Sequence, residues 1–297
     1  MVGTIRLSRV ALYLILSAFA LFYLLPVYLL LVTSLKSFAD VSFARMWSPP
    51  SYFSLESFAT AFERLRPNIL NSVTMTVPAT IISAFIGSIN GYVLAKWRFR
   101  GSEVLFVLIL FGMFIPYQSI LIPLVYVLQR IGEVGQDLVQ ILPPDLAWLG
   151  NFIPGYGSIA GLVLVHVIYG IPITTLIFRN YYAAVPGELL EAARIDGAGI
   201  LGIYRYIILP ISMPGFVVVT IWQFTSIWNE FLFAVTITSS PVKRPLMVAV
   251  YNLQGSQITE WNIQMAGALL AALPTLLVYL ALGRYFLRGL LAGSVKG

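Results

Sequence analysis

The sequence predicts an all-α integral membrane protein with six transmembrane helices. Of its 297 residues, 59% are hydrophobic and only 10% are charged, whereas roughly 25% are charged in an ordinary soluble domain. The mean hydropathy is +0.88. Six intervals between charged residues are longer than the ~20 residues that a helix needs to cross the hydrocarbon of a bilayer. Strand-like alternation is absent from these intervals, so each is interpreted as a helix.

The predicted spans follow these intervals in chain order. They cover about residues 10–35, 69–95, 104–129, 157–178, 207–235 and 263–285. The fourth interval contains the turn-forming stretch GNFIPGYGS near its start, so its first part is predicted to be loop. The first interval follows Arg6 and Arg9, as the core of a signal peptide would. It is too long for such a core and lacks a small-x-small cleavage site, so we expect a retained helix.

The distribution of Lys and Arg predicts that both termini are cytoplasmic, because cytoplasmic loops carry an excess of basic residues. In this orientation seven basic residues are outside, namely Lys36, Arg45, Arg64, Arg66, Arg130, Lys243 and Arg244. Eleven are inside, namely Arg6, Arg9, Lys96, Arg98, Arg100, Arg179, Arg194, Arg205, Arg284, Arg288 and Lys296. Residues 183–206, between the fourth and fifth spans, are then cytoplasmic. We call this segment the 183–206 loop.

Two short helices joined by a tight turn are predicted in AAVPGELLEAARIDGAGILGIYRYIILP, which contains this loop. Pro186 suits the first turn of a helix, Glu188 and Glu191 suit the positive end of its dipole, and ELLEAAR is a strong helix former. Asp196 and Gly197 supply a stop, because glycine adopts the left-handed conformation that follows many helices. The second helix leads into the fifth span.

Two uses of the 183–206 loop are compatible with its composition. Its first helix is too short to be stable alone, and its apolar residues are Leu189, Leu190, Ala193 and Ile195. With Ala192 and Ala193 on the surface, this helix suits insertion into the groove of a partner protein, where backbones approach closely. It is equally compatible with an amphipathic linker that lies on the lipid surface.

One spacing pattern in this region resembles a known family. The residues that carry the spacing are Glu191, Ala192, Ala193, Gly197, Ile207, Leu209 and Pro210. Together they resemble the EAA loop of permeases of binding-protein-dependent ABC importers. NSVTMTVPATIISAFIGSINGYVLAKWRFRG, FIPYQSILIPLVYVLQRIG, WNEFLFA and LRGLLAGSVKG resemble the shorter permease of carbohydrate importers of the maltose-transporter type. GMFIPYQSILIPL and the C-terminal stretch look most similar to glucose/mannose and glucosylglycerol-type permeases. A longer outer loop, EVGQDLVQILPPDLAWLGNFIPGYGS, departs from that pattern.

This resemblance implies a type I ABC importer permease fold that imports a sugar or small glycoside. It implies that the loop is a coupling helix seated in a groove of a cytoplasmic ATPase, with Glu188 and Asp196 on the same candidate surface. Glu191 would pair with a basic residue of the ATPase, and Gly197 would form the turn. The implied partners are a second permease in a heterodimer, two ATPase subunits and an extracytoplasmic sugar-binding protein. The implied location is the cytoplasmic membrane of a bacterium or archaeon.

The chain itself lacks the means to hydrolyse nucleotides. It has no Gly-Lys dipeptide and hence no P-loop, and one His and no Cys leave little for metal or acid–base catalysis. We therefore expect no enzyme activity and no cofactor in this chain, with ATP and Mg bound by the partner ATPase. The alternative is an ion-coupled secondary transporter, which would require paired buried acids or repeats. Nucleic-acid binding is not expected, because the basic residues are dispersed beside apolar runs.

A sugar pathway needs polar groups for hydroxyls and aromatic rings that stack on pyranose faces. The candidates on the third span, between Pro116 and Pro123, are Tyr117, Gln118 and Ser119; those on the fifth are Gln223, Trp228, Asn229 and Glu230. About 20 residues at 1.5 Å each separate Glu230 from Pro210, so Glu230 is predicted near the outer end of its helix. There it is expected to have a helix-end or gate role. His166 is expected to be a hydrogen-bonded residue between helices.

Overall fold

Every regular element is helical in the computed structural model, which describes residues 7–97, 99–253 and 259–294. The α-helices of this part are α1 (Leu7–Ser34), α2 (Glu56–Lys96), α3 (Ser102–Phe111), α4 (Tyr117–Ile141), α5 (Ile159–Ala183), α6 (Gly187–Ile195), α7 (Ile200–Ile203), α8 (Leu209–Ile211), α9 (Met213–Trp228), α10 (Leu232–Ile237), α11 (Leu246–Asn252) and α12 (Trp261–Ser294). Short 3-10 helices cover Phe38–Asp40, Phe43–Arg45, Gly112–Phe114, Pro144–Phe152 and Pro241–Lys243, and a π-helical turn covers Tyr204–Ile208.

Four of these helices are long and apolar enough to cross a membrane. They are Arg9–Ser34 within α1, α2, α5 and Trp261–Tyr285 within α12. Two further candidates are bent pairs: residues 102–114 with 117–141, at 98°, and residues 200–211 with 213–228, at 75°. Over the described residues, the count of six spans is reached when each bent pair is one crossing.

The predicted orientation is not tested by these helices. Of the basic residues that support it, Arg6, Arg98 and Lys296 lie outside the described residues. Arg288 belongs to α12, of which only the backbone is described at that point. The cytoplasmic placement of both termini therefore stays a prediction.

The third predicted span, residues 104–129, is broken rather than continuous. Pro116 is extended (φ −61°, ψ 114°) and directly precedes α4, which begins at Tyr117. A proline disfavours the helical conformation for the residue before it, and Ile115 is accordingly extended, with ψ 117°. The interpretation of Pro116 and Pro123 as bracketing YQS inside one helix is therefore wrong. Only Pro123 is inside α4.

The fifth predicted span, residues 207–235, is interrupted twice. Ser212 separates α8 from α9, and its hydroxyl donates to the carbonyls of Ile208 and Leu209, both at 2.8 Å. Hydroxyl bonds to the preceding turn bend helices, and the nearby Pro214 removes a backbone donor. The second interruption follows α9, and α10 then begins at Leu232.

The longer outer loop, residues 133–158, is largely ordered into helix. α4 continues to Ile141, and a 3-10 helix follows at Pro144–Phe152. Ser158 then caps α5 by accepting the backbone N–H of Gly161 at 2.9 Å. The start of α5 at Ile159 agrees with the loop expected at the beginning of the fourth interval.

Two compact units make up the described chain. The smaller unit contains the chain up to Arg66 together with Ala249–Leu273, and the larger unit contains Pro67–Val248 together with the chain from Pro274. The 183–206 loop and all candidate pathway residues belong to the larger unit.

In the smaller unit, Asp40 organises the segment that follows α1. Its carboxylate accepts the backbone N–H of Ser51 at 2.9 Å and the guanidinium of Arg45 at 2.8 Å. These bonds, that from Ser51 first, hold the pKa of Asp40 below its ordinary value. Lys36 closes the same segment, because its ammonium donates to the carbonyl of Arg45 at 2.6 Å.

In the larger unit, α2, α5 and α9 pack closely because glycines face the contacts. A Cβ at Gly91 of α2 would lie 2.7 Å from the Cβ of Phe178 of α5. A Cβ at Gly170 of α5 would overlap the amide nitrogen of Gln223 of α9. That amide is itself fixed, since it donates to the hydroxyl of Ser83 of α2 at 2.9 Å. These contacts join the three helices that carry most of the candidate site.

Candidate functional site

The 183–206 loop contains the predicted pair of short helices and the predicted turn. α6 begins directly after Pro186 and ends at Ile195. Gly197 has φ +84°, and its N–H donates to the carbonyl of Arg194 at 3.0 Å. The N–H of Ala198 donates to the carbonyl of Ala193 at 2.9 Å. This pair of bonds is the Schellman arrangement, in which a left-handed residue closes the helix, and glycine takes that conformation without a Cβ clash.

Side chains of α2 fix the loop to the larger unit. Lys96 donates its ammonium to the carbonyl of Val185 at 2.6 Å, just before α6. The hydroxyl of Ser88 lies 2.6 Å from that of Tyr182 and 2.9 Å from that of Tyr204. All three of these hydroxyl-bearing side chains are buried. The loop is therefore bonded to α2 at both of its ends, and Ser88 also joins the second of these attachments to Tyr182 of α5.

The outer surface of the loop combines acids with large apolar side chains. Its exposed acids are Glu188, Glu191 and Asp196. Its most exposed aliphatic side chains are those of Ile195, at 86%, and Leu201, at 78%.

One expectation about this surface is wrong. Ala192 is exposed as expected, but Ala193 is only 7% exposed. Ala193 lies one turn after Leu190, and both pack into the core cluster that contains Ile203. The helix therefore turns Ala193 towards its own chain, because residues three apart share a face. Of the remaining residues in the spacing pattern, Ile207 and Leu209 are half-buried and Pro210 is exposed.

A cavity of about 550 Å³ lies between α4, α5 and the α9–α10 connection. It brings together four of the predicted pathway residues, namely Tyr117, Gln223, Asn229 and Glu230. Gln118 and Ser119 are exposed but do not line it. Trp228 does not line it either; it is 1% exposed and its ring stacks on Phe224, with centroids 5.6 Å apart. The structure thus separates the predicted pathway residues into two groups.

Glu230 lies at a helix end, as its distance from Pro210 predicts. Its carboxylate accepts the backbone N–H of Phe233 at 2.6 Å and that of Ala234 at 3.1 Å. These are donors of the first turn of α10, so Glu230 caps that helix. The same carboxylate also lines the cavity. A helix-end position and a position on the cavity lining therefore coincide in one residue.

The sequence did not identify several residues of the cavity lining as pathway groups, among them a histidine and two large aromatic residues. His166 and Tyr169 reach the cavity from α5, and Trp222 reaches it from α9. The α5 side of the cavity follows the spacing i, i+3, i+4, i+7 through His166, Tyr169, Gly170 and Ile173. Residues at that spacing lie on one face of a helix. The spacing could therefore have indicated from the sequence which residues of α5 share a face. His166 was expected to be hydrogen-bonded, yet its Nε2 atom has no hydrogen-bond partner among the described residues.

Comparison with known proteins decides the family. The model of the family described as binding-protein-dependent transport system inner membrane component matches residues 86–291. A probable ABC transporter permease of Pyrococcus horikoshii is 45% identical over 98% of both chains. A xylose/arabinose import permease of Haloferax volcanii is 38% identical over 98% of this chain and 94% of its own. This chain belongs to that inner-membrane permease family.

The fold comparison agrees. The permease superposes with a TM-score of 0.73 on a chain of a bacterial ABC transporter involved in the import of the acidic polysaccharide alginate. The two chains are 20% identical, and the match covers 96% of the permease and 100% of the other chain. The predicted ABC importer permease fold is therefore confirmed.

Family membership settles the general role of the permease. It is a multi-pass transport subunit of the cytoplasmic membrane and not an enzyme. The family implies an ATPase, a substrate-binding protein and a second permease as partners. Transport is driven by ATP hydrolysis on partner subunits, and no finding supports the ion-coupled alternative.

Proposed function

We propose that this permease imports a sugar or small glycoside. Support comes from the Haloferax volcanii relative, which is named for the import of xylose and arabinose and matches nearly the whole chain. The cavity fits this class of solute, since it combines the rings of Tyr117, Tyr169 and Trp222 with amide and carboxylate groups. Aromatic rings stack on sugar faces, while amides and carboxylates bond hydroxyls.

The proposed assembly contains this chain, a second, different permease, two ATPase subunits and an extracytoplasmic sugar-binding protein. It is placed in the cytoplasmic membrane of a bacterium or archaeon. We expect no cofactor in this chain, with ATP and Mg bound by the ATPase subunits. This expectation rests on the absence of a P-loop and of cysteine from the sequence.

The 183–206 loop is proposed as the contact with the ATPase. The observation that carries this assignment is the combination of a fixed inner side with an exposed apolar outer side. Lys96 and Ser88 hold the inner side, while Ile195 and Leu201 are exposed on the outer side. A fixed segment transmits a push to the helices that hold it, as rigid-body switching requires.

The chemistry of the outer side favours a protein groove over a lipid surface. Its exposed acids, Glu188, Glu191 and Asp196, would be repelled by the anionic headgroups of a cytoplasmic leaflet. The two arginines of the segment, Arg194 and Arg205, are outnumbered by these three acids. Glu191 is proposed to pair with a basic residue of the ATPase.

Reconstitution tests this function. The chain would be purified from membranes after co-expression with its partner subunits, and the complex would be placed in liposomes with the binding protein added outside. Uptake of radiolabelled sugars from a panel that includes xylose, arabinose and glucose is expected only with ATP inside. The ATPase is also expected to stay bound to the solubilised chain. Accumulation by the purified chain alone, without any ATPase, would overturn the proposal.

A further inference from the structure

The cavity contains a buried polar atom that no described group satisfies. His166 is only 6% exposed and lines the cavity, and its Nε2 atom has no hydrogen-bond partner within the described part of the chain. The nearest charged group is Oε2 of Glu230, 3.8 Å away. That separation is too long for a direct hydrogen bond. Because buried polar groups are almost always paired, an unpaired atom beside a cavity points to an occupant of that cavity.

Glu230 can accept further hydrogen bonds from the same occupant. Each of its carboxylate oxygens accepts one backbone N–H, from Phe233 and Ala234, whereas a carboxylate offers about four acceptor positions. An oxygen atom can lie about 2.8 Å from both Nε2 of His166 and Oε2 of Glu230 when these are 3.8 Å apart. A hydroxyl at that point donates its hydrogen to Glu230 and accepts the Nε2–H of His166.

The charge of the lining selects among solutes. Of the residues described as lining the cavity, Glu230 is the only one with a carboxyl group, and none is Lys or Arg. An acidic solute entering this space would give up its hydration beside a carboxylate and gain no cation in return. A neutral solute rich in hydroxyls pairs with the lining without that cost.

We propose that this subunit itself carries a binding subsite for a neutral polyhydroxylated solute, in which one hydroxyl bridges His166 and Glu230, and that the subsite rejects uronates. The proposal rests on the proposed function, sugar import, and adds to it a solute charge class and a binding residue, His166. The rings of Tyr169 and Trp222 lie in the same cavity and offer apolar faces to the solute.

Protection of an introduced thiol tests the subsite in the assembled complex. The chain has no cysteine, so Ser226→Cys, whose position lines the cavity, gives this chain a single thiol, whose labelling is followed on this chain. Ser239→Cys is the matched control, because Ser239 is exposed and does not line the cavity. The complex in lipid nanodiscs, without the binding protein, would be labelled with a small methanethiosulfonate reagent. Xylose, glucose, maltose or glucuronate would be present at increasing concentrations.

The neutral sugars are expected to slow labelling of the thiol at position 226 in a saturable way, and glucuronate is expected not to. Labelling at position 239 should not change. The His166→Phe variant keeps a ring in the space and removes Nε2. Because one hydrogen bond is lost, the half-protecting concentration should rise about three- to tenfold. Replacing His166→Gln supplies an amide donor and should restore protection to within about twofold of the parent.

The proposal is overturned if no neutral sugar protects, if glucuronate protects as well as glucose, or if His166→Phe leaves the half-protecting concentration unchanged. Each of these results is separable from failure of the proposed function. If the proposed function itself failed, the complex with native His166 would take up no sugar even with ATP. If the complex imports sugar normally but shows no His166-dependent protection, the proposed subsite is refuted and the proposed function is not.

Discussion

Lys96 and Val185 join the end of α2 to the start of the 183–206 loop. The Lys96 ammonium donates to the Val185 carbonyl at 2.6 Å, two residues before α6 begins at Gly187. The bond is charge-assisted, and such bonds contribute about 1.5–3 kcal/mol. It therefore gives α2 a direct hold on the segment that we propose as the ATPase contact.

Removing this hold should weaken coupling more than folding. In Lys96→Met, the aliphatic stem is largely kept while the bond to Val185 is lost. We expect the number of sugar molecules imported per ATP hydrolysed to fall several-fold in proteoliposomes. Lys243→Met, at an exposed lysine in a 3-10 helix outside the loop, is the control. An unchanged ratio in Lys96→Met would remove the role of this bond.

The contact at Gly170 predicts a loss of stability. In Gly170→Ala the new methyl would overlap the amide of Gln223, which is held by Ser83. Overpacking of this kind costs about 1–3 kcal/mol. The unfolding midpoint of the solubilised complex should drop in a thermal melt. Gly283→Ala is the control, because the added methyl meets no other helix among the described residues; equal midpoints for both variants would contradict the packing described.

The pKa of Asp40 predicts an acid-sensitive segment. A carboxyl whose pKa is lowered on folding stabilises the folded form above its unfolded pKa, and this stabilisation is lost as the pH falls through the folded value. Because the pKa of Asp40 lies below its ordinary 3.8, protease cleavage between residues 38 and 51 should increase below pH 3.8 and not between pH 5 and 8. Asp40→Asn should show the cleavage already at neutral pH. Identical cleavage of both proteins at neutral pH would rule out this role.

The topology can be tested with single thiols. Arg100→Cys and Ser239→Cys introduce them at exposed positions, which Ser102, at 8% exposure, would not offer. With both termini cytoplasmic, a membrane-impermeant maleimide should label position 239 in intact cells and position 100 only after permeabilisation. The opposite pattern would reverse the predicted orientation.

Local sequence signals predicted the 183–206 loop well. The helix formers from Glu188 and the stop at Gly197 depend on neighbours in the chain, and the structure has both the helix and a left-handed glycine there. The family membership inferred from the same spacing is confirmed. Composition alone was sufficient to predict the helical, membrane-embedded class, because uncharged apolar intervals of this length are typical of transmembrane helices.

Features that depend on tertiary packing were not predictable in this way. Ala193 was expected on the surface, but it is buried in a core cluster whose other members come from α2, α5 and α9 as well as from the loop itself. The hydropathy of residues 104–129 predicts one continuous span and does not indicate the break at Pro116. The meeting of His166 with Glu230 joins residues 64 positions apart, and no local period marks such a pair.

A substitution that alters the turn at Gly197 gives the most direct test of the central proposal, that the loop links the membrane helices mechanically to the ATPase. A β-branched residue at φ +84° is strained by about 1–2 kcal/mol, enough to alter the turn and leave the membrane helices in place. ATP-driven uptake by the reconstituted complex should be lost in Gly197→Val, with normal amounts of the protein in the membrane. It should be retained in Gly199→Ala, where the backbone has φ −77° and the methyl meets no atom. Uptake by Gly197→Val at the rate of the unaltered complex would contradict the link.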